Sequence, residues 1–309
     1  MRYIDAKMHR RIVEKKQRLD RHRPLSPSLL NRLRKEFMVE YTFDSNAIEG
    51  STLTLHETRM VIEEGLTVQG RLLRDILAAR NHPEAIEYVE GLAKAGGSLT
   101  EVDVLTLHRL IMEGVDEGAG RYREAGVRIA GAVFSLPKST EVSAMMRSLL
   151  DWLDRNLEEL SPVELAAVFH HRFVSIHPFA EGNGRTARLL MNLILMRNSY
   201  AFIVSVSRQD RDKYIRALRE ADQGSLNDFV NYVARCAERT LDIYLNTIEE
   251  QDVLTLSEAS RMTSYSQEYL SLLARSGRLA AFKEGRNWLV SRRELERYLV
   301  EVKTKGKRS

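Results

Sequence analysis

The chain is almost without cysteine. Cys236 is the only one among 309 residues, so no disulfide can form within the chain, and its place in a helical pattern suits a small buried core residue. No stretch approaches the roughly 18 apolar residues that a membrane-spanning helix needs. The opening residues, MRYIDAKMHRR, also lack the apolar core of a secretory signal, so a cytoplasmic location with no membrane partner is expected. Internal repeats and low-complexity tracts are missing too, and only the closing KTKGKRS reads as disordered. What remains is 43% hydrophobic and 29% charged, the composition of a soluble globular protein long enough for two domains.

A net charge of +4 conceals an asymmetry. Residues 1–24 carry nine Lys or Arg and three acids, and residues 253–309 carry twelve and six, which leaves 26 basic and 34 acidic residues between them. Basic ends can meet nucleic acid or acidic proteins, although solvated helical faces account for most such runs. Through most of residues 28–249 apolar residues recur at helical spacing, which predicts a mainly α fold. Thr54 followed by Glu57 has the form of a capping box with Gly65 as the stop, and Ser161, Pro162 and Glu164 open the helix SPVELAAVFHHRFVSI. One stretch departs from this pattern. REAGVRIAGAVFSLP, residues 123–137, offers short β-prone runs around Gly131 and predicts a small hairpin.

Twelve residues, His177 to Arg188, carry the chemistry: HPFAEGNGRTAR. Pro178 disfavours a helical conformation for the residue before it, so His177 should end the preceding helix and project from a turn, where its imidazole can accept a proton. Gly182, Asn183 and Gly184 allow successive backbone N–H groups to turn toward one point where the next helix presents its unpaired amides and positive dipole end. That is a nest for an anion. Glu181 stands beside it, and one carboxylate with phosphate oxygens and waters is the usual way to hold magnesium. Arg185 and Arg188 fall at i and i+3, share a helix face and can reach one polyphosphate with forked bonds. Phe179 is expected to pack beneath the loop, and the Leu and Met residues that follow form a core face. A zinc site built on His170, His171 and His177 is disfavoured because adjacent helical residues point about 100° apart. The residues alone give phosphate chemistry with a metal.

The segment resembles the hallmark of Fic-domain proteins, HPFx(D/E)GNGRxxR, matched at every specified position. The resemblance implies a Fic-type helical bundle that transfers AMP from ATP to a Ser, Thr or Tyr hydroxyl of a target protein, with Mg2+ as cofactor and ATP as co-substrate. Carried over by position, His177 is the general base, Glu181 the magnesium ligand, Gly182, Asn183 and Gly184 the phosphate nest, and Arg185 and Arg188 the polyphosphate clamps. It also implies that the hairpin in residues 123–137 is a flap that aligns the target by strand pairing, a mode in which backbone groups supply the contacts, and that Tyr214 walls the adenine pocket unless it is core.

A second segment, SNAIEG at residues 45–50, is similar to the (S/T)xxxE(G/N) stretch of Fic proteins with an N-terminal inhibitory helix. Ser45 and Glu49 stand at i and i+4, and Gly50 suits the left-handed residue that stops a helix, so a short presenting helix over about 44–50 is predicted. By the resemblance Glu49 pairs with Arg188 and holds ATP unproductively; the same glutamate could instead orient a water to remove AMP. Near Val253 the chain begins again, and the pattern of two helices, a hairpin around Glu284 and Gly285 and a final helix resembles the winged helix-turn-helix of excisionase-like and MerR-like modules. In that reading Ser266, Gln267 and Tyr269 face a DNA groove while Arg278, Lys283 and Arg286 contact phosphates; docking on a protein is the alternative. The expected organisation is an N-terminal helical region 1–110, a catalytic core 111–250, the winged module 253–302 and a basic tail 303–309. Self-association is compatible with the sequence. Beside the adenylyltransferase stand other Fic-type phosphate transfers and a nucleotide-sensing DNA-binding regulator.

Overall fold

Thirteen α-helices and three short strands form among the residues described by this computed structural model: 3–25, 27–127, 136–200, 206–251, 253–279, 281–284 and 287–305. The chain divides into two compact units, residues 1–240 and 241–309, with the division falling inside one helix.

In the first unit the helices are α1 (Ala6–Asp20), α2 (Pro27–Ile48), α3 (Leu55–Glu63), α4 (Leu73–Ala95), α5 (Glu101–Met112), α6 (Ser139–Arg155), α7 (Pro162–Ile176), α8 (Asn183–Arg197), α9 (Arg211–Asp222) and α10 (Leu226–Gln251), which continues past the division. α8 is the pivot. Twelve of its fifteen residues are buried, five of them polar or charged, so it is enclosed on all sides rather than along one face, and α7, α4, α5 and α2 pack against it. The caps that the sequence promised are made. Thr54 accepts from the Glu57 N–H at 3.2 Å while the Glu57 carboxylate accepts the Thr54 N–H at 2.7 Å, and Gly65 follows with φ 67°. Glu164 does more than cap. It accepts from Ser161 and also from the N–H groups of Tyr3 (2.6 Å) and Ile4 (3.1 Å), which fastens the start of the chain to α7. Cys236 is buried in α10.

The segment around Glu49 differs from expectation. Instead of a short presenting helix, Ser45 occupies the last turn of the 22-residue α2, and Glu49 and Gly50 lie in the turn just beyond it, Gly50 with φ 98°. The reason is upstream. Leu33, Phe37, Tyr41 and Ser45 recur every fourth residue as one buried ridge, so the packing that holds the motif begins more than ten residues before it. The predicted hairpin around Gly131 lies in part outside the described residues, which omit 128–135.

The second unit has its own core of Leu254, Leu256, Leu270, Leu273, Val290 and Leu295 among others. Strands β1 (Val253–Thr255), β2 (Ala281–Glu284) and β3 (Asn287–Ser291) form an antiparallel sheet in the order β1-β3-β2, with α11 (Leu256–Arg261), α12 (Gln267–Arg275) and α13 (Arg292–Lys305) around it. β2 and β3 are the arms of the expected hairpin; Gly285 and Arg286 between them are outside the described residues. β1 was not foreseen, being three residues long. α13 runs on through Lys305, so the first three residues of the tail expected to be disordered continue a helix whose Leu295, Tyr298 and Leu299 pack in the core, and 306–309 lie outside the described residues. A mainly α protein with a winged helix-turn-helix unit is the result.

Candidate active site

α7 stops at His177, which caps it in the left-handed conformation (φ 51°, ψ 61°) while its N–H donates to the Phe173 carbonyl at 3.1 Å. A non-glycine residue holds that conformation only under outside constraint. Burial keeps the imidazole below its ordinary pKa, so it is neutral and able to take a proton, and its Nδ1 has no hydrogen-bond partner.

The loop that follows is tied from within and from behind. Asn183 Oδ1 accepts the Phe179 N–H at 2.9 Å and its Nδ2 donates to the Phe179 carbonyl at 2.8 Å, so this side chain closes the loop and leaves only its backbone amide for a ligand. Phe179 is fully buried beneath the loop and stacks on His108, ring centroids 3.5 Å apart and 3° from parallel. His108 Nδ1 accepts the Gly120 N–H, which leaves Nε2 to donate to the Glu181 carbonyl, both at 3.0 Å. Burial pushes the His108 pKa down to about 4, in keeping with a neutral ring of fixed tautomer.

α8 begins with Gly182 as its N-cap in the left-handed region, φ 76°. The first helical bond runs from the Thr186 N–H to the Gly182 carbonyl at 3.0 Å, so the amides of Asn183, Gly184 and Arg185 precede it at the positive end of the helix. A Cβ on Gly182 would come within 2.7 Å of Met112 Sδ, so glycine is required here twice over. The Glu181 side chain is exposed at the mouth of the loop.

Both arginines point into the protein. Arg188 is 1% exposed and donates from Nε to Ser45 Oγ (3.0 Å), and from Nη2 to the Ser45 carbonyl (2.8 Å) and Glu49 Oε1 (2.8 Å). Burial opposes its charge, yet Glu49 holds the guanidinium above its ordinary pKa; at Glu49, which is only partly desolvated, Arg188 outweighs that desolvation and holds the carboxyl low. Arg185 is also buried and its Nε is unpartnered; burial lowers its pKa while the Glu49 and Glu181 carboxylates act in the opposite sense. Gly184 has a second role that no sequence signal announced: a Cβ there would collide with Glu49 Oε1. With any larger residue there the carboxylate would have to shift from the position in which it meets Arg188. Asn46, 4% exposed, keeps both amide atoms without a partner beside this contact.

The structure thus brings together His177, Glu181, Gly182, Asn183, Gly184, Arg185 and Arg188 on one loop and helix start, with Ser45 and Glu49 against Arg188. Tyr214 belongs to the core, bonded to His170 Nε2 at 3.0 Å among Phe229 and Tyr232. His171 bonds Asp222 at 2.9 Å, so the two adjacent histidines have separate partners. Sequence reasoning missed His108 and Arg123; the Arg123 Nε donates to the His177 carbonyl at 2.7 Å.

The Fic/DOC family profile matches residues 98–195, and a helix-turn-helix domain profile matches residues 253–301. Among solved structures, a Fic domain containing signaling protein from Bacteroides thetaiotaomicron VPI-5482 is 30% identical, with a TM-score of 0.73 over 78% of this chain and 98% of that one. The chain belongs to the Fic/DOC family. A Fic family protein from Desulfovibrio desulfuricans G20 is 26% identical at a TM-score of 0.66, over 93% of this chain and 96% of that one, so the likeness to another Fic protein extends beyond the family profile. A curated relative, protein adenylyltransferase Fic of Nematostella vectensis, is 37% identical over 248 residues, 79% of this chain and 57% of its own length. The chain spans about half the length of the curated relatives it matches. Among the described residues, no helix of this Fic protein is long and apolar enough to cross a membrane.

Proposed function

We propose that this protein is an adenylyltransferase that moves AMP from ATP to a Ser, Thr or Tyr hydroxyl of a target protein and that Glu49 represses it. The observation that carries this reading is the His177 imidazole, its buried Nδ1 unpartnered, one short loop away from the first-turn amides of a helix with two buried arginines behind it. The target oxygen attacks the α-phosphorus as its proton passes to His177; the bond from that phosphorus to the bridging oxygen breaks, and pyrophosphate leaves toward Arg185 and Arg188. The amides of Asn183, Gly184 and Arg185 hold the phosphate oxygens, with Gly182 shaping the turn. Glu181 offers one exposed carboxylate at the loop, the donor set that holds magnesium together with phosphate oxygens and water, so the residues fit that ion. Magnesium, when bound, neutralises charge on the polyphosphate. Glu49 occupies the Arg188 face that a terminal phosphate needs, and Ser45 fixes the arginine in that engaged state.

The intact base and both arginines favour this reaction over nucleotide sensing, and the name carried by the relatives favours AMP addition over its removal. We assign the catalysis to a core over residues 111–250, with residues 1–110 supplying the repressing turn. Incubating the Glu49→Gly protein with ATP, magnesium and lysate of its own cell should yield proteins heavier by one AMP, read by mass spectrometry; recipients carrying a bare phosphate, or none, would reject the reading.

For the C-terminal unit we infer DNA binding, on the strength of the helix-turn-helix match and the exposed Gln267 and Tyr269 at the start of α12, with Arg278 exposed beyond its end. Ser266 is engaged as the α12 cap, accepting the Tyr269 N–H at 3.2 Å, so base contacts fall to its neighbours. Duplex affinity should fall steeply between about 50 and 200 mM salt. A flat salt response, or no retardation of duplex, would leave protein docking as its role.

A further inference from the structure

Arg123 lies outside the signature loop, between α5 and α6, and is 5% exposed. Such a buried guanidinium ordinarily meets a carboxylate. Among the described residues this one meets carbonyls instead. Its Nε donates to the His177 carbonyl at 2.7 Å, Nη1 to the Ala125 carbonyl at 3.3 Å and Nη2 to the Pro137 carbonyl at 2.6 Å, while its own N–H donates to the Pro178 carbonyl at 2.9 Å. Three stretches of backbone therefore converge on one planar group: the residue that carries the base, and the two ends of the segment running from Ala125 to Pro137. Ser139 Oγ adds a bond to the Glu124 carbonyl at 2.8 Å, holding the same two ends together.

The geometry has a mechanical meaning. His177 sits in a left-handed conformation that its own side chain disfavours, and the bond to its carbonyl restrains that peptide plane. Rotating the plane swings the imidazole. We propose that Arg123 is a positioning residue for His177, setting the reach of the imidazole by joining its backbone to both ends of the 125–137 segment. The proposal rests on the adenylyltransferase reading for its kinetic consequence, though not for the mechanical one. Lysine cannot replace the fork, because its three donors radiate from one nitrogen on a flexible stem, whereas the guanidinium reaches three separated carbonyls from three nitrogens fixed in one plane. A cavity of about 310 Å³ lies alongside, lined by Arg121, Tyr122 and Arg123 before the segment, by Ala125 and Val127 at its start and by Ala180 from the catalytic loop, so the two stretches that Arg123 joins also share a wall.

The test compares Arg123→Lys and Arg123→Gln with their parent in the Glu49→Gly background. ATP affinity should stay within about twofold, because the amide row and Arg185 are untouched. The single-turnover rate of self-labelling with radiolabelled ATP, expressed per nucleotide-binding site, should fall about 100-fold, the penalty for a reacting group displaced by roughly 1 Å. Amide exchange should rise at His177 and at Ala125 together. An unchanged rate per site, or exchange rising at one stretch alone, overturns the proposal. Should the Glu49→Gly parent transfer no AMP, the adenylyltransferase reading fails while the exchange result still decides the role of Arg123. If neither variant folds, native-state exchange on the unaltered chain decides it: the Arg123 and His177 amides should share one opening free energy, and separate openings refute the brace.

Discussion

Replacing His177 by alanine is expected to reduce AMP transfer by a factor of about 100 to 10,000, the range that general-base assistance supplies, while ATP affinity changes by no more than about twofold. The separation follows from where the atoms lie. Phosphate contacts are assigned to the α8 amides and the arginines, and none of them depends on the imidazole; Phe179 and Asn183 keep the loop closed through bonds made beyond residue 177. Alanine is itself a poor left-handed residue, so the cap geometry, held by Arg123, is tested at the same time. Radiolabelled ATP with a recipient lysate measures transfer, and calorimetric titration measures affinity. Parental transfer in the alanine variant removes His177 as the base; loss of ATP binding makes it part of the nucleotide grip.

The second large effect is expected at Glu49. Glu49→Gly should raise transfer about 100-fold, the scale set by restoring one pre-aimed donor to the developing charge. Arg188 keeps its two bonds to Ser45 in the variant, so it stays aimed, and the Nη2 face released by Glu49 becomes available to a terminal phosphate. Because the Glu49 side chain is 39% exposed, its removal opens the site to water and ligand rather than leaving a sealed void. Glu49→Gln, which keeps the shape and loses the charge, should fall between parent and glycine variant. Equal rates for all three with radiolabelled ATP would refute repression by this residue.

Much of this site could be read from the chain because its determinants are local. The histidine before a proline, the glycines around Asn183 and the two arginines lie within twelve residues, and each answers a need of the same anion. The caps at Thr54 and Ser161 were legible for the same reason, since both partners of each cap are three residues apart. Contacts between distant segments were not. His108 bonds a residue 73 positions away, Arg123 one 54 away, and Ser45 meets Arg188 across 143. No local spacing links His108 or Arg123 to the loop residue that each one bonds. The pairing of Glu49 with Arg188 follows only from the family resemblance, and no local pattern indicates that the carboxylate lies over Gly184. The six-residue motif predicts only a short helix, whereas the buried ridge of Leu33, Phe37, Tyr41 and Ser45 belongs to a helix of 22 residues.

Crystals of the Glu49→Gly protein soaked with ATP and magnesium put the central claim to its most direct test. The account predicts the α-phosphate against the amides of Asn183, Gly184 and Arg185, the terminal phosphate on Arg188, and the His177 imidazole within hydrogen-bonding reach of the space facing the α-phosphorus. A bend left empty, with the nucleotide lodged elsewhere on the chain, would contradict it.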